Sequence, residues 1–469
     1  MQRIVRTALE ISDPRDLVYG AAPRPLEVRG LSIGGGEVYP EINFTLPPIS
    51  VDENTWPEVL RQYRKMAEGV TERAADLEVP GLVLEFEHLP PMTERPRWGA
   101  EVTALLRETL DRARERRGLQ SALRVTIVDL RDATRPPRLR SGPQWEAMLE
   151  SWRLCARAGA DILSIESVGG KEVHDRALLF GDVRAIAYAL GVLAARDMEW
   201  LWNELAAAAA EEGSIPGADS ACGFANTAML LAGGKQVPEV LAAVVRAMTV
   251  PRSLVAFECG ARGPSKDCAY EGTALKVIAG CPISMEGKSA ACAHLSPVGN
   301  IACMAADLWS NESVQNVKLL SGPAPTAFLE ILAYDCRLLN AAAARGRASW
   351  MRDLLEETDE LRSPQALVLG ARATYRIARA VVENSDDDYR RTVAAGRAAV
   401  TAILEAAGRG PEGEGLRLSA QESRWLERIE REFERLPEEP ASLEAEILSE
   451  YGGLFDRASY GLAPTEARR

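Results

Sequence analysis

The sequence predicts an α/β fold, a (β/α)8 TIM-type barrel with an N-terminal extension and a C-terminal helical region. Short apolar runs, typical of buried strands, alternate with helical patterns from about residue 56 onwards. Several of these runs end in acidic or Gly/Ser residues, and barrel enzymes gather their functional groups at the carboxyl ends of strands. About six strands are discernible rather than eight, so an open doubly wound sheet is the alternative. No GxGxxG motif follows a strand to favour that sheet.

The strand predictions rest on apolar content, and the helix predictions rest on a 3.6-residue period. The clearer strands are predicted at 81–87, 122–129, 160–166 and 253–258, with weaker ones at 213–220 and 282–285. Helices are predicted at 102–116, 144–158, 184–210, 238–248 and 270–279. Strands and helices in alternation indicate a parallel sheet surrounded by helices.

Composition divides the chain into three parts. Residues 1–55 are rich in Pro and Gly and are predicted to form an extended wrapping segment, and residues 56–345 are predicted to form the barrel. Residues 346–469 are rich in Arg, Glu, Ala and Leu and are predicted to be helical. The helices of this last part are expected at 349–361, 364–384, 388–408 and 419–436, with a loop at 410–415.

The charge and hydropathy of the chain exclude some functions. The 469 residues carry a net charge of −13 with no basic stripe, which argues against a nucleic-acid partner. The N-terminus shows no signal peptide, and the apolar region 185–201 is interrupted by Arg196, Asp197 and Glu199. We therefore expect a cytoplasmic protein without a membrane partner.

Cysteine and histidine usage limits the kind of metal site. There are eight cysteines and no CxxC pair, so reduced thiols are expected rather than disulfides or a zinc ribbon. Only three histidines are present and HExxH is absent. A metal site in this chain would therefore depend on cysteine and carboxylate.

Three candidate ligands follow predicted strands. Glu166 ends one strand, while Cys222 and Cys268 lie in small-residue loops between a strand and a helix. In a barrel all three could meet at one mouth, and two thiolates with a carboxylate form a plausible three-ligand zinc set. Taken singly, each cysteine is more often a small buried residue, and a strand-end acid is structural about as often as functional.

The sequence resembles the methanol-activating subunit of methanol:corrinoid methyltransferase over most of its length. The blocks that carry the resemblance occur in order: WGAEV (98–102), GADILSIES (159–167), GGKEV (169–173), Cys222 with ANTAM (225–229), PRSLVA (251–256), ECGA (258–261), KDC (266–268), EGK (286–288), CAH (292–294) and DLWSNESVQ (307–315). The resemblance implies a (β/α)8 barrel and zinc held by Glu166, Cys222 and Cys268.

It also implies a reaction in one-carbon metabolism. Zinc would bind the methanol oxygen as a Lewis acid, and the cobalt(I) of a corrinoid on a partner protein would accept the methyl group. A homodimer within a larger complex is expected by the same resemblance. Asp129 and Lys171 lie near predicted strand ends and are candidates for proton transfer or for supporting the ligands, although an ordinary ion pair is the alternative for each. His294 is expected to be a structural or pocket residue.

Other functions stay open at this point. The methyl donor could be another small compound, such as a methoxylated aromatic ether. A zinc hydrolase, which needs no corrinoid, belongs to a different class. A silent partner-binding homologue is disfavoured because Glu166, Cys222 and Cys268 are all present.

Overall fold

A curled parallel sheet of seven strands forms the centre of the protein. The computed structural model describes residues 2–44, 46, 49–266, 268, 270–293, 297–313, 318–319, 322–408 and 415–463. In chain order the strands of the sheet are Tyr39–Phe44, Leu82–Glu87, Ser121–Val128, Ile162–Glu166, Ile215–Asp219, Ser284–Glu286 and Leu308–Ser313. The first and last of these pair with each other, so the sheet curls back towards its own beginning.

Residues 262–265 close the remaining gap in the sheet, and we call them the closing segment. On one side the Arg262 amide donates to the Pro216 carbonyl over 2.8 Å. On the other side Ser265 forms a parallel bridge with Ile283. Eight strand positions therefore follow one another around a ring in sequence order, which confirms the predicted TIM-type barrel.

Helices surround the sheet and connect its strands. Between the first strand and residue 344 they are Trp56–Asp76, Pro90–Glu94, Pro96–Arg117, Pro143–Arg157, Lys171–Phe180, Val183–Tyr188, Ala195–Glu212, Thr227–Gly233, Glu239–Met248, Val250–Glu258, Gly272–Ala279, Lys288–Ala293, Gly299–Cys303 and Ala324–Ala344. Two π-helical turns, Ala189–Ala194 and Cys222–Asn226, interrupt this layer, and 3-10 turns lie at Pro14–Asp16 and Arg457–Tyr460. Residues 239–258, which form two consecutive helices, are together long and apolar enough to cross a membrane, but their apolar stretch is buried inside the protein, as expected for core helices.

The prediction of a strand at 253–258 is wrong. This stretch belongs to the helix Val250–Glu258, in which every residue is buried. A helix buried on all sides has no polar face, so its sequence shows the continuous apolar run that is also typical of a buried strand.

Two strands of the barrel were not predicted, Tyr39–Phe44 and Leu308–Ser313. Both carry polar residues that are buried in the fold, including Glu41, Asn43 and Asn311, so neither shows an apolar run. The first strand lies inside residues 1–55, so the sheet begins before residue 56. The three-part domain division itself stays a prediction.

A hairpin closes the amino end of the barrel. Its strands are Ala21–Val28 and Leu31–Gly35, and their apolar residues pack against residues at the start of five barrel strands. The buried residues of this contact are Leu26, Val28, Leu31, Ile33, Tyr39, Val83, Ala122, Ile162 and Leu308. A second, short hairpin pairs Lys318–Leu319 with Gly322–Pro323.

The C-terminal region is helical, as predicted. Its helices are Ala348–Asp359, Pro364–Leu367, Ala371–Glu383, Asp388–Gly408, Ala420–Arg435 and Ala441–Tyr451, of which the last was not predicted. Most of the predicted loop at 410–415 lies outside the described residues. Helix Asp388–Gly408 packs on the buried helix Glu239–Met248, so this region extends the core of the barrel.

Candidate metal centre

The three predicted ligands meet at the carboxyl end of the barrel. Glu166 ends its strand, Cys222 begins the π-helical turn after the next strand, and Cys268 follows the closing segment. These are three neighbouring positions around the barrel, and one ligand atom from each lies within 4.8 Å of the others. Cys268 Sγ is 3.2 Å from Glu166 Oε1. Tetrahedral zinc with sulfur bonds of about 2.3 Å spaces its ligands by about 3.8 Å, so the set is close to the size that zinc needs.

A cavity of about 280 Å³ opens above these three side chains. Its lining residues are Asn43, Glu87, Glu166, Cys222, Gly223, Asn226, Thr227, Leu230, Lys266, Cys268 and Glu286. Leu230 is 53% exposed and is a large apolar side chain in this lining. The site therefore combines a ligand set with space for a small molecule.

Lys266 lies among three carboxylates of the site. Its Nζ is 2.9 Å from Glu85 Oε1 and 3.6 Å from Glu166 Oε1, and it also pairs with Glu87. The lysine is 1% exposed, so these contacts form in an interior where charge interactions are strong. One oxygen of the predicted ligand Glu166 thus faces both a cation and the Cys268 sulfur.

The two thiols hold their protons unless a cation is present. The hydrogen bond with Cys268 lowers the pKa of Cys222, but burial and the charges of Glu166 and Glu286 raise it to about 12 overall. Burial, the contact with Cys222 and the charge of Glu166 raise the pKa of Cys268 well above its usual value. A thiophilic divalent cation can replace both protons, because thiolates are its ligands. The donor set therefore fits zinc.

Buried side chains fix the loops that carry the ligands. Asp219 accepts from the Ser167 amide over 3.2 Å and from Arg252 over 3.0 Å, which ties the residue after Glu166 to the strand before Cys222. Glu271 accepts from the Ala221 amide over 2.7 Å, which fixes the turn before Cys222. Both carboxylates are buried. The ligand positions are thus set by interactions between neighbouring loops.

Asp129 and Lys171 lie in ion pairs. Asp129 is buried against Arg131 at 2.7 Å and accepts from the Val168 amide over 3.0 Å. Lys171 pairs with Asp175 one turn further along its helix. Neither is among the described residues that line the cavity, although Lys171 lies beside Gly223, which does line it. Their proposed roles stay predictions, and the contacts of Asp129 are those of a residue that fixes the backbone after Glu166.

The remaining sequence candidates lie elsewhere. His294 lies outside the described residues. The seven cysteines whose side chains the structure describes are free thiols, and four of them, Cys155, Cys281, Cys303 and Cys336, are buried in the core as expected.

Sequence reasoning missed the polar residues around the ligands. Asn226 donates to Cys222 Sγ over 3.2 Å, and Ser220 Oγ lies 3.5 Å from Cys268 Sγ. Lys266 contacts Glu166 as described above. The available signal was position: Asn226 is four residues after Cys222, and Lys266 is two before Cys268.

The fold and the site together define a class of protein, the TIM-barrel enzymes with a candidate metal centre at the mouth. Residues 4–461 match the family described as the methanol-cobalamin methyltransferase B subunit. Methanol--corrinoid protein co-methyltransferase from Methanosarcina barkeri (strain Fusaro / DSM 804) is 35% identical over 462 residues, which cover 97% of this chain and 98% of that protein.

A solved structure is similar as well. In the crystal structure of the methanol:cobalamin methyltransferase complex MtaBC from Methanosarcina barkeri, one chain matches this protein with a TM-score of 0.93 and 34% sequence identity. The match covers 98% of this chain and 100% of that chain. The chain belongs to the methanol-cobalamin methyltransferase B subunit family, which confirms the resemblance seen in the sequence.

Proposed function

We infer that this chain transfers the methyl group of methanol to the cobalt of a corrinoid carried by a partner protein, and that it does so with zinc held by Glu166, Cys222 and Cys268. One observation carries the proposal: two thiols and one carboxylate from neighbouring strand positions converge below an accessible cavity. Three protein ligands leave a fourth zinc position for substrate.

The metal and the protein have separate tasks. Zinc supplies a Lewis acid that draws electron density from a hydroxyl oxygen. The chain supplies the ligand set and fixes it: Asp219 and Arg252 hold the backbone after Glu166, and Glu271 holds the turn before Cys222. Lys266 restrains the Glu166 carboxylate from one side.

The proposed partner supplies the corrinoid. The solved relative is a chain of the methanol:cobalamin methyltransferase complex MtaBC. In this chain the cavity lies at the carboxyl end of the barrel, and the hairpin fills the opposite end. Access for a partner-bound cofactor is therefore proposed from the side of Leu230. The homodimer stays a prediction.

The test is anaerobic methylation of free cob(I)alamin by zinc-loaded protein with methanol as the donor. The absorption spectrum of the corrinoid monitors the reaction. Formation of methylcobalamin is the expected result. Protein stripped of metal by a chelator is the control, and activity should return when zinc is added back.

The alternatives predict other outcomes. Methylation with a methoxylated aromatic ether but not with methanol would assign a different donor. Full activity in the metal-free control would contradict the zinc proposal and leave the methyl transfer standing. No methylation with any donor, with zinc bound and the corrinoid protein supplied, would overturn the proposed reaction.

A further inference from the structure

In Asn226, only one of the two polar atoms of the side-chain amide forms a hydrogen bond with the described residues. Asn226 is 6% exposed and lies at the end of the π-helical turn Cys222–Asn226, four residues after the predicted ligand Cys222. Its Nδ2 donates to Cys222 Sγ over 3.2 Å. Its Oδ1 is buried and has no hydrogen-bond partner among the described residues.

A buried oxygen without a hydrogen-bond partner lowers the stability of the fold. Burying a carbonyl oxygen without a partner loses its hydrogen bonds to water, and buried polar atoms of this kind are uncommon in native proteins. An apolar residue would occupy the same place without that loss. The use of the amide that the described contacts show is the hydrogen bond from its nitrogen to the sulfur.

The geometry of the turn makes this bond possible. Residues four apart lie on the same face of a helix, so the side chain of Asn226 projects over that of Cys222. π-Helical turns are rare and are found frequently at functional sites. Cys268 has a weaker counterpart, because the Ser220 hydroxyl lies 3.5 Å from its sulfur and either atom can be the donor.

We propose that Asn226 is a positioning residue that donates a hydrogen bond to the metal-bound Cys222 thiolate, fixing its orientation and reducing the charge that the sulfur gives to the metal. This inference rests on the proposed metal site. An N–H donor stabilises the negative charge on sulfur, so less of that charge passes to the metal and the metal remains a stronger Lewis acid. This reduction in charge donation matters because two anionic sulfurs and a carboxylate already lower the positive charge of the centre.

The test replaces zinc by cobalt(II), whose sulfur-to-metal charge-transfer band reports the donor strength of each thiolate. Asn226→Ala removes the N–H donor, so the band should move to lower energy and cobalt affinity should fall by about tenfold or more. Asn226→Leu removes the same donor with a residue of similar size and provides a second variant if Asn226→Ala does not fold. Circular dichroism checks the fold of each.

Thr227→Val is the matched control. Thr227 lines the same cavity and donates to the Gly223 carbonyl within the same turn, but it contacts neither sulfur in the described structure. The sulfur-to-cobalt charge-transfer band of Thr227→Val should stay at the wild-type energy. A band that does not move in folded Asn226→Ala or Asn226→Leu would overturn the inference. If the wild-type protein shows no sulfur-to-cobalt band at all, the metal site itself fails, so the two failures are distinguishable.

Discussion

The two ends of the barrel each bury a lysine, but they balance its charge differently. At the amino end, Lys276 pairs with Asp307 over 2.8 Å and donates to the carbonyls of Val18 and Ala305. At the carboxyl end, Lys266 lies within ion-pair distance of three carboxylates, those of Glu85, Glu87 and Glu166. The lysine at the amino end therefore has one carboxylate as its ion-pair partner, whereas the lysine at the carboxyl end lies among three.

This difference indicates that the charges at the amino end contribute to stability and those at the carboxyl end to function. A single buried pair with its remaining donors satisfied needs nothing further, so the amino end is suited to hold the barrel together. Among the described residues at the carboxyl end, acidic groups and thiols outnumber the cations. Such a site is completed by a cation that it does not itself supply, which is what the proposed zinc provides.

The largest effect is expected for the thiols. Cys222→Ser or Cys268→Ser should reduce bound zinc from about one ion per chain to none and abolish methyl transfer, because a site with two protein ligands cannot hold zinc. Metal analysis after gel filtration measures this. The control is Cys336→Ala. This variant should retain zinc, because Cys336 is buried in the helix Ala324–Ala344. Retention of zinc in both serine variants would contradict the proposed ligand set.

The next effect concerns the amino end. Lys276→Met leaves Asp307 buried without its cation, and removing one partner of a buried pair costs about 3–5 kcal/mol of unfolding free energy. Urea denaturation should show this loss equally with and without zinc. Lys235→Met provides the control, because Lys235 is exposed and its pair with Glu239 should contribute less than about 1 kcal/mol. A stability loss in Lys276→Met that zinc reverses would show that the two ends are not independent.

A smaller and metal-dependent effect is expected at the carboxyl end. Lys266→Met leaves Glu85, Glu87 and Glu166 to repel one another. Because the side chains of Glu87 and Glu166 are 30% and 33% exposed and stay partly hydrated, the metal-free protein should lose only about 1–3 kcal/mol of unfolding free energy. Zinc should recover part of that loss, since a divalent cation replaces the missing positive charge. The measurement is the difference in melting temperature between zinc-loaded and chelated protein, which should be larger in Lys266→Met than in the wild type. An unchanged difference would show that Lys266 is purely structural.

The sequence revealed those parts of the fold whose physical cause is local. Strands 122–129 and 160–166 were recognised because each has a buried apolar face on which every second residue is Leu, Ile or Val. The strand Leu308–Ser313 was not predicted because its buried residues include Ser310 and Asn311, and a hydropathy pattern cannot distinguish such a strand from a loop. The helix Val250–Glu258 was mistaken for a strand because tertiary burial removes the period that separates the two.

The site was only partly predictable for the same reason. Glu166 and Cys222 could be proposed because each lies at the end of a predicted strand and because barrel topology brings strand ends together. Cys268 was placed after the strand predicted at 253–258, which is a helix, and the closing segment, which was not predicted, brings it to the barrel mouth instead. The contacts of Asn226 and Lys266 depend on side-chain directions and on distances of a few ångströms, which spacing along the chain does not determine. Asp129 and Lys171 also lie near strand ends, yet their nearest charged partners are Arg131 and Asp175.

The smallest predicted effect concerns Tyr460, which links the C-terminal segment to the loop after Glu166. Its hydroxyl accepts from the Gly170 amide over 2.8 Å and donates to Glu172 Oε1 over 2.6 Å. Burial raises the pKa of Glu172 from 4.5 to about 7, although the bond from Tyr460 acts in the opposite direction. The folded protein therefore keeps this proton between about pH 4.5 and 7 while the unfolded chain releases it, so this group makes stability fall as pH rises through that window.

Glu172→Gln should remove this part of the pH dependence, because glutamine cannot ionise but can still accept from Tyr460. Tyr460→Phe should lower the unfolding free energy by about 1–2 kcal/mol, since the Gly170 amide and Glu172 both lose a partner. Urea denaturation at pH 5 and pH 8 measures both variants against the wild type. If Glu172→Gln keeps the wild-type difference between the two pH values, Glu172 does not titrate in this window. Its link with Tyr460 would then be an ordinary hydrogen bond of an ionised carboxylate.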